Sequence, residues 1–353
     1  MSRRLVVWLF LVILLVAFVA TSAANAPDGT GAPVTLHRSE VTYSGTVEQE
    51  GSSDVRVAMV PIYNTMVDGD SPADGSATGA DDVVRMLDAI ADDSDSWDAV
   101  ILELDTPGGS VLAAEEITAA IKRLKDDADL PVLAWMRGTA ASAGYYVSAP
   151  TDRIVAADST FTGSIGVILE YYVAEKLADK VGVSQVVIKS GKLKDIGNPL
   201  RAATPEERQL FQTIIDEAYG TFVGVVSKGR DIPEDEVRKL ADGRIYTGTQ
   251  AKELGLVDEL GLRRDAYDAV AKLIDAKGVD GSDIEVVEFR RSYGLLELLG
   301  ADVQPSLDSL ASIGDVAKAV RGDSGAIQRL AGPDTHQLGG GLARLEYRAV
   351  IGG

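Results

Sequence analysis

The chain has 353 residues, 46% of them apolar and 25% charged, which is enough for one large domain or two ordinary ones with a buried core. It contains no cysteine, which excludes disulfides, thiolate nucleophiles and cysteine-ligated metals. The net charge of −20 makes nucleic acid a poor partner, because an acidic surface repels the phosphate backbone.

Histidine is scarce, and this constrains the mechanism more than any other compositional fact. The two histidines, His37 and His336, lie near the two ends of the chain. A metal site with several histidine ligands is therefore excluded, and a Ser-His-Asp triad would need one of these two residues. No metal or cofactor is expected.

The acidic residues are spread along the chain rather than gathered in a tail, as in Asp81-Asp82, Asp92-Asp93 and Asp126-Asp127. Repulsion between such carboxylates is screened at high salt. The pattern favours a protein of a halophilic archaeon, and an ordinary acidic surface is the alternative interpretation.

The N-terminal residues carry the clearest physical signal. Arg3 and Arg4 precede an uncharged apolar run over residues 5–20. The pattern predicts a single-pass transmembrane anchor over residues 1–24 in the cell membrane, with the following chain on the extracellular side, because positive charge stays in the cytoplasm. Ala24-Asn25-Ala26 also resembles a cleavage site, so a removed signal peptide is the alternative.

Strand-like and helical patterns alternate over residues 55–291, which predicts an α/β domain with a mainly parallel sheet. Residues 25–54 are rich in Gly, Ser, Thr, Asp and Pro and are interpreted as a stalk. Residues 292–353 are interpreted as an appendage, because the pattern loosens there. The predicted strands are 55–62, 99–104, 131–136, 153–156 and 186–188, and the predicted helices are 83–90, 111–124, a short one through 147, and 204–227, the last capped by Thr204, Pro205 and Glu207.

Two predicted strand-to-helix junctions are rich in glycine or other small residues. In Thr106-Pro107-Gly108-Gly109-Ser110, uncommitted backbone amides could bind an anion, and a tight turn that needs positive φ explains the glycines equally well. In Ala140-Ala141-Ser142-Ala143-Gly144, small neighbours leave Ser142 unshielded at a helix start. Ser142 is either an N-cap or a nucleophile.

A nucleophilic serine needs a base, and the α/β core has no histidine to supply one. A lysine serves where burial disfavours its charged ammonium. Lys189, Lys192 and Lys194 cluster together, but nothing local distinguishes any of them from an ordinary solvated charge.

Five motifs stand in one order within residues 55–265, and together they resemble the S49 serine peptidases of the signal peptide peptidase A type. The resemblance implies the fold shared by Clp protease and crotonase, with repeated β-β-α units. The motifs are DTPGG (105–109), ASAGYY (141–146), TGSIGV (162–167), KSG with KDI (189–191 and 194–196), and GRIYTG leading to GLVD (243–248 and 255–258).

The resemblance assigns roles to five residues. It implies that Ser142 is the nucleophile and Lys194 its general base, and that Ser164 hydrogen-bonds and orients the lysine. Gly109 and Ala143 are implied to supply the amides of an oxyanion hole.

The resemblance also implies a function and partners. The expected activity is endopeptidase cleavage of remnant signal peptides and other short hydrophobic or membrane-associated peptides, without a cofactor. A homo-oligomer is expected, because the chain holds one copy of a core that the longer bacterial form carries in tandem. The alternatives are a non-catalytic membrane scaffold or quality-control partner, and a crotonase-type acyl-CoA enzyme, which export from the cytosol argues against.

Overall fold

The computed structural model describes residues 35–38, 41–293 and 345–348 of the chain. The candidate membrane anchor and most of the predicted appendage lie outside these ranges. The strands are β1 (Thr35–Arg38), β2 (Val41–Gln49), β3 (Arg56–Val67), β4 (Ala77–Gly79), β5 (Ala99–Ser110), β6 (Val132–Ala141), β7 (Arg153–Ala156), β8 (Phe161–Gly163), β9 (Ile168–Leu169), β10 (Ile245–Thr247), β11 (Glu259–Leu260), β12 (Glu285–Arg291) and β13 (Leu345–Arg348).

The helices alternate with strands over much of the chain. Within the described ranges, none of them is long and apolar enough to cross a membrane. They are α1 (Ala80–Asp92), α2 (Val111–Asp126), α3 (Ala143–Ser148), α4 (Glu175–Val181), α5 (Pro205–Arg230), α6 (Glu234–Leu240), α7 (Gly248–Glu253) and α8 (Arg263–Leu273), with one 3-10 turn at Ser94–Ser96.

The strands form a sheet whose central path runs β1-β2-β12-β3-β5-β6-β7-β11. All neighbours from β12 to β11 along this path are parallel. The β1-β2 and β2-β12 pairs at one edge are antiparallel. The prediction of an α/β domain with a mainly parallel sheet is therefore confirmed.

Helices cover the central strands on both faces. On one face, α8 packs on a buried cluster that includes Val57, Ile101 and Trp135. On the other face, α1 and α2 pack against each other and contact β3 and β5. Strands buried on both faces need apolar side chains at successive positions, which explains the continuous apolar runs in the sequence.

Three strands lie where composition indicated other structure. Residues 35–38 and 41–49, within the interpreted stalk, form β1 and β2, and the fully buried Tyr43 donates a hydrogen bond to Asp82 at 3.2 Å. Residues 345–348, within the interpreted appendage, form β13. Strands β2 and β13 are short or rich in polar residues, and their stability comes from pairing with distant strands, which composition does not reveal.

The predicted strand at residues 186–188 is wrong. These residues have no regular structure, and Val186 and Ile188 are 86% and 95% exposed. They belong to residues 170–200, called the arm below, which carry α4 and several exposed apolar side chains. A β-prone run forms a strand only where a neighbouring strand accepts it, and none does so here among the described residues.

The long helix predicted after Thr204 is confirmed. Thr204 accepts a hydrogen bond from the N–H of Glu207 at 3.2 Å, and the Glu207 carboxylate accepts one from the N–H of Thr204 at 2.8 Å. The helix continues to Arg230, beyond the expected end at Ser227, and Asp231 closes it in the left-handed conformation at φ 51°.

Candidate active site

Ser142 stands at the junction of β6 and α3 in a conformation that non-glycine residues rarely adopt. Its φ and ψ are 56° and −116°. Its N–H donates to the carbonyl of Gly163 at 2.9 Å, and its carbonyl accepts from the N–H of Tyr146 at 2.9 Å. These two bonds hold a backbone that costs about 1–3 kcal/mol relative to a relaxed one, which is a frequent property of functional residues.

The side chain of Ser142 is fully buried and does not cap the helix that follows it. No donor or acceptor within the described ranges lies in hydrogen-bond reach of its Oγ. Burying an unpaired hydroxyl costs about 1–3 kcal/mol. The geometry therefore removes the N-cap interpretation and leaves a hydroxyl available for chemistry.

Small residues around Ser142 let α3 approach the end of β5. A Cβ on Gly144 would lie 2.7 Å from Cγ2 of Thr106, so a larger residue would push the helix away. The first amides of a helix have no acceptor inside it, and the N–H of Ala143 is the first in α3. The close approach brings this amide toward residues 106–109 at the end of β5.

The glycines at the end of β5 are fixed by their neighbours as well. Gly109 pairs with Met66 of β3, and a Cβ on Gly109 would lie 2.0 Å from the Met66 carbonyl oxygen. Its φ of 157° is also outside the range of ordinary side-chain-bearing residues. Thr106 Oγ1 accepts from the N–H of Gly108 at 3.1 Å. The expected positive φ is present, but the tight turn and the predicted end of the strand at residue 104 are wrong, because β5 continues through this motif to Ser110 with a shift in its pairing with β3.

Ser164 lies next to Ser142 in the fold. Strand β8 runs parallel to β6 with Gly163 opposite Ala141, so each serine is one residue beyond a paired position. Ser164 is 6% exposed, has a φ of 49°, and donates its N–H to the carbonyl of Arg244 at 2.8 Å. It lines a cavity of about 430 Å³ that α5 and the segment around Ile168 help to form.

The two tyrosines of the ASAGYY motif hold α3 in place through contacts with distant parts of the chain. The hydroxyl of Tyr145 donates to the carbonyl of Leu256 at 2.9 Å, and complete burial raises the pKa of Tyr145 above its usual range. The ring of Tyr146 packs on Phe222 at 5.1 Å, and burial raises the pKa of Tyr146 to about 12. Sequence reasoning missed this role, although the joint occurrence of ASAGYY and GLVD is its signal.

Lys194 lies in a turn of the arm, where its main-chain N–H donates to the carbonyl of Gly191 at 3.2 Å. Its side chain is exposed, and its ammonium makes no ion pair with any described residue. Lys189, in contrast, pairs with Asp195, and Lys192 pairs with Glu206. The structure thus distinguishes Lys194 from the two neighbouring lysines, which the sequence did not.

Arg201 explains why Asp195 leaves Lys194 unpaired. Its guanidinium donates to Asp195 at 3.0 Å and to Glu207 at 2.8 Å. Arg201, with Lys189, holds the pKa of Asp195 well below its usual range, and Arg201 lowers the pKa of Glu207 to about 2. Sequence reasoning missed Arg201, because its partners become apparent only when the turn is folded onto α5.

The predicted site residues therefore fall into two groups. Gly109, Ser142, Ala143 and Ser164 lie at the carboxyl ends of β5, β6 and β8, on one edge of the sheet. Lys194 lies on the arm, and no hydrogen bond among the described residues joins it to either serine. The structure brings the serine group together and leaves the lysine outside it.

Comparisons with known proteins agree with the motifs. The profile of Peptidase family S49 matches residues 124–277. The putative signal peptide peptidase SppA of Enterococcus faecium is 37% identical over 239 residues, which are 67% of this chain and 68% of that protein. The putative protease slr0021 of Synechocystis sp. is 42% identical over 209 residues, 59% of this chain and 74% of that protein.

A solved structure is similar over a comparable share of the chain. A mutant of the 1510-N membrane-bound stomatin-specific protease matches 68% of this chain and 100% of its own, at 16% identity and a TM-score of 0.44. A TM-score of 0.44 is too low for any property of this chain to be inferred from the likeness. The α/β class follows from the sheet order of this chain, and the closer Clp protease and crotonase likeness stays a prediction.

Proposed function

The chain belongs to peptidase family S49, and we propose that it is a serine endopeptidase in which Ser142 is the nucleophile and Lys194 the general base. The observation that carries the proposal is the hydroxyl of Ser142. It is fully buried at positive φ, does not cap its helix and has no partner among the described residues. A strained, unsatisfied hydroxyl at strand ends is suited to nucleophilic attack.

In the proposed reaction, the neutral amine of Lys194 takes the proton of Ser142 as Oγ attacks a peptide carbonyl carbon. The N–H groups of Gly109 and Ala143 stabilise the oxyanion, and Ser164 orients the ammonium. The leaving amine takes the proton from Lys194, and an acyl-enzyme remains. In deacylation, the neutral amine of Lys194 takes a proton from water as the water oxygen attacks the acyl carbonyl carbon, and Lys194 then returns this proton to Ser142 Oγ as the ester bond breaks and the peptide acid leaves.

Fluorophosphonate labelling tests the nucleophile directly. We expect wild type to incorporate the label and Ser142→Ala to lose it. Ser148→Ala is a matched control, because Ser148 is a buried serine of the same short helix whose hydroxyl is occupied by the Gly144 carbonyl at 2.7 Å. Label retained in Ser142→Ala would overturn the assignment, and an unlabelled wild type would favour a non-catalytic scaffold.

We further propose a homo-oligomer in which Lys194 of one copy serves Ser142 of the next. The proposal is supported by the exposed ammonium of Lys194 and by the exposed apolar side chains of its arm, such as Val186 and Ile188. Exposed apolar surface of this kind marks interaction sites. A neighbouring copy would cover it and bury the lysine beside the serine.

Mixing two inactive variants tests the shared site. Ser142→Ala subunits keep the lysine and Lys194→Ala subunits keep the serine. In randomly mixed oligomers, about one quarter of the interfaces would pair an intact serine with an intact lysine. We expect a corresponding recovery of peptidase activity. Mixed oligomers that form, as shown by a different tag on each variant, but stay inactive would place the dyad within one chain.

The proposed substrates are short hydrophobic peptides, including remnant signal peptides. The proposal is supported by the name of the Enterococcus faecium relative and by exposed apolar side chains at Leu112 and Ile168, close in sequence to the site motifs. We propose that residues 1–24 anchor the enzyme in the cell membrane, with the catalytic domain outside the cell. The intact mass of the membrane fraction would show whether this segment is retained.

We also propose that the acidic surface is an adaptation to the high salt of a halophilic archaeon. The net charge of −20 supports this proposal. The melting temperature should then fall when molar salt is replaced by dilute buffer. An unchanged melting temperature would remove the proposal.

A further inference from the structure

The cavity beside Ser164 extends beyond the groups that the proposed reaction uses. It has a volume of about 430 Å³ and lies between α5, the segment around β9 and the residues just before β10. Ser164 lines it, so the cavity borders the strand ends that hold the nucleophile, whose N–H donates to the carbonyl of Gly163 at 2.9 Å. A cavity in this position is placed to receive a side chain of a peptide bound at Ser142.

The walls of the cavity combine two kinds of surface. Ile168, Ile215 and Ile245 supply apolar surface. Polar side chains also line the cavity, namely Ser164, Gln212, Asp216, Tyr219 and Asp242. Lysine and arginine side chains have the matching form, because a stem of methylene groups carries a charged head. A purely apolar side chain would cover the polar groups without pairing them.

The two carboxylates of the cavity differ in what neutralises them. Asp242 accepts a hydrogen bond from Nε of Arg244 at 2.7 Å, and Arg244 lowers the pKa of Asp242 to about 2. Asp216 accepts a hydrogen bond from Nε2 of Gln212 at 2.7 Å and forms no ion pair with any described residue. No described residue that lines the cavity is basic. Asp216 is therefore a carboxylate without a counter-ion, and a cation from a ligand would supply one.

The side chain of Ser164 is an independent indication of a ligand. Ser164 is 6% exposed, lines the cavity and makes no side-chain hydrogen bond with any described residue. A hydroxyl has one donor and two acceptor lone pairs, so it can donate toward Lys194, as the proposed reaction requires, and still accept from a cation in the cavity. Native structures seldom leave a buried polar group unpaired, and a bound ligand supplies such a partner.

We propose that this cavity is a substrate subsite that binds a lysine or arginine side chain through Asp216 and Ser164, an inference that rests on the proposed function. Remnant signal peptides provide such side chains, because a signal peptide carries a positively charged segment before its apolar core. The enzyme then selects hydrophobic peptides in which a basic residue lies close to the cleaved bond. Charge-assisted contacts of this kind raise kcat/KM for a basic peptide over an uncharged peptide of the same shape.

Paired fluorogenic peptides test the subsite in the full chain. The two peptides share one apolar sequence and differ at one position near the cleaved bond, which holds lysine in one and norleucine, which lacks the ammonium, in the other. When this position is varied in turn, we expect one at which kcat/KM is about tenfold higher for lysine. Asp216→Asn should bring that ratio close to one. A ratio near one at every position, or a ratio that survives Asp216→Asn, would overturn the inference.

Glu217→Gln is the matched control for general charge effects. Glu217 is the next residue of α5, is exposed and does not line the cavity, and its substitution removes the same charge from the acidic protein. This variant should keep the preference for lysine. Equal loss of the preference in both variants would show that general attraction between an acidic protein and cationic peptides causes it, and the subsite would be wrong.

A binding measurement separates the subsite from the proposed catalysis. In the Ser142→Ala background, fluorescence anisotropy should show the labelled lysine peptide binding about tenfold more tightly than the norleucine peptide, and Asp216→Asn should remove the difference. If this result is obtained while the chain with Ser142 intact has no peptidase activity, the subsite stands and the proposed function falls. Peptidase activity together with equal binding of the two peptides would do the reverse.

Discussion

The two halves of the candidate site are built on different principles. Ser142, with Gly109 and Ser164, lies on strand ends in a buried part of the sheet, where backbone pairing and the lack of space for side chains fix each position. Lys194 lies on an exposed arm, where ion pairs hold the turn and leave its ammonium uncommitted.

The difference shows which part of the chemistry the chain prepares by itself. Preorganised hydrogen-bond donors and a fixed nucleophile are most effective when they do not move during the reaction, and the sheet provides that. The position of the base is not fixed by its own contacts. Substitutions at four positions test this contrast.

The largest effect is expected at Lys194. Lys194→Ala and Lys194→Arg should each lower kcat/KM for a peptide by about 10⁴-fold or more, because nucleophile and base act as one unit and a guanidinium does not deprotonate near neutral pH. The melting temperature should barely change, since the side chain is exposed and without an ion pair among the described residues.

Lys192→Ala is the matched control, because Lys192 is exposed on the same turn and pairs only at the surface with Glu206. It should retain wild-type turnover. Robust activity of Lys194→Arg, measured with the same peptide, would contradict the dyad.

The second effect concerns the half of the site that contains Ser142, Gly109 and Ser164, called the rigid half below because the sheet fixes it. Gly109→Ala should lower activity about 100-fold and reduce the free energy of unfolding by roughly 1–3 kcal/mol, because the added Cβ meets the Met66 carbonyl oxygen and shifts the oxyanion amide. Gly191→Ala, on the arm, is the control, since a Cβ there meets nothing within 4 Å. Activity is measured by kinetics and the free energy of unfolding by chemical denaturation. Equal losses of both quantities in the two variants would show that the two halves do not differ in rigidity.

The third effect is smaller. Ser164→Ala should lower kcat about tenfold while leaving KM near its wild-type value, because a lysine without its hydrogen-bond partner is less well oriented but still present. Ser190→Ala, an exposed serine of the arm, serves as the control. A loss as complete as that of Ser142→Ala would make Ser164 more than an orienting residue.

Much of the fold could be predicted, because local sequence patterns coincide with the central strands and helices of the folded chain. Apolar runs marked the central strands, and the Thr204 to Glu207 capping box marked the start of α5. Strands β2 and β13 were missed because their stability depends on partners far away in sequence. The strand predicted at residues 186–188 is wrong because this segment has no described strand to pair with.

The site could be predicted only in part. Small residues around Ser142 predicted an unshielded side chain, whereas the folded chain buries it completely and shows that its hydroxyl does not cap α3. Local sequence left Lys189, Lys192 and Lys194 equivalent, and ion pairs with Asp195 and Glu206 separate them. The ion pairs could not be predicted, because their geometry depends on the tertiary fold. The role of Lys194 as a base rests on the motif resemblance and stays a prediction.

The smallest expected effect is a difference between the two halves in how their contribution to stability depends on pH. Arg201 lowers the pKa of Glu207 to about 2, against a value near 4.3 for a glutamate in an unfolded chain. A carboxylate whose pKa is depressed by folding contributes stability that is complete above the unfolded value and is lost as the pH falls through the folded value. Glu207→Gln should therefore melt a few degrees below wild type at pH 6, and the difference should close toward pH 2.

The rigid half should not respond in this way. Gly109→Ala destabilises through a steric clash that involves no titrating group, so its deficit in melting temperature should persist from pH 6 to pH 2 for as long as unfolding stays cooperative. Scanning calorimetry of wild type and both variants across this range makes the comparison. A Glu207→Gln deficit that stays constant with pH would mean that Arg201 and Glu207 support the arm by packing rather than by charge, and the electrostatic account of the arm would then be wrong.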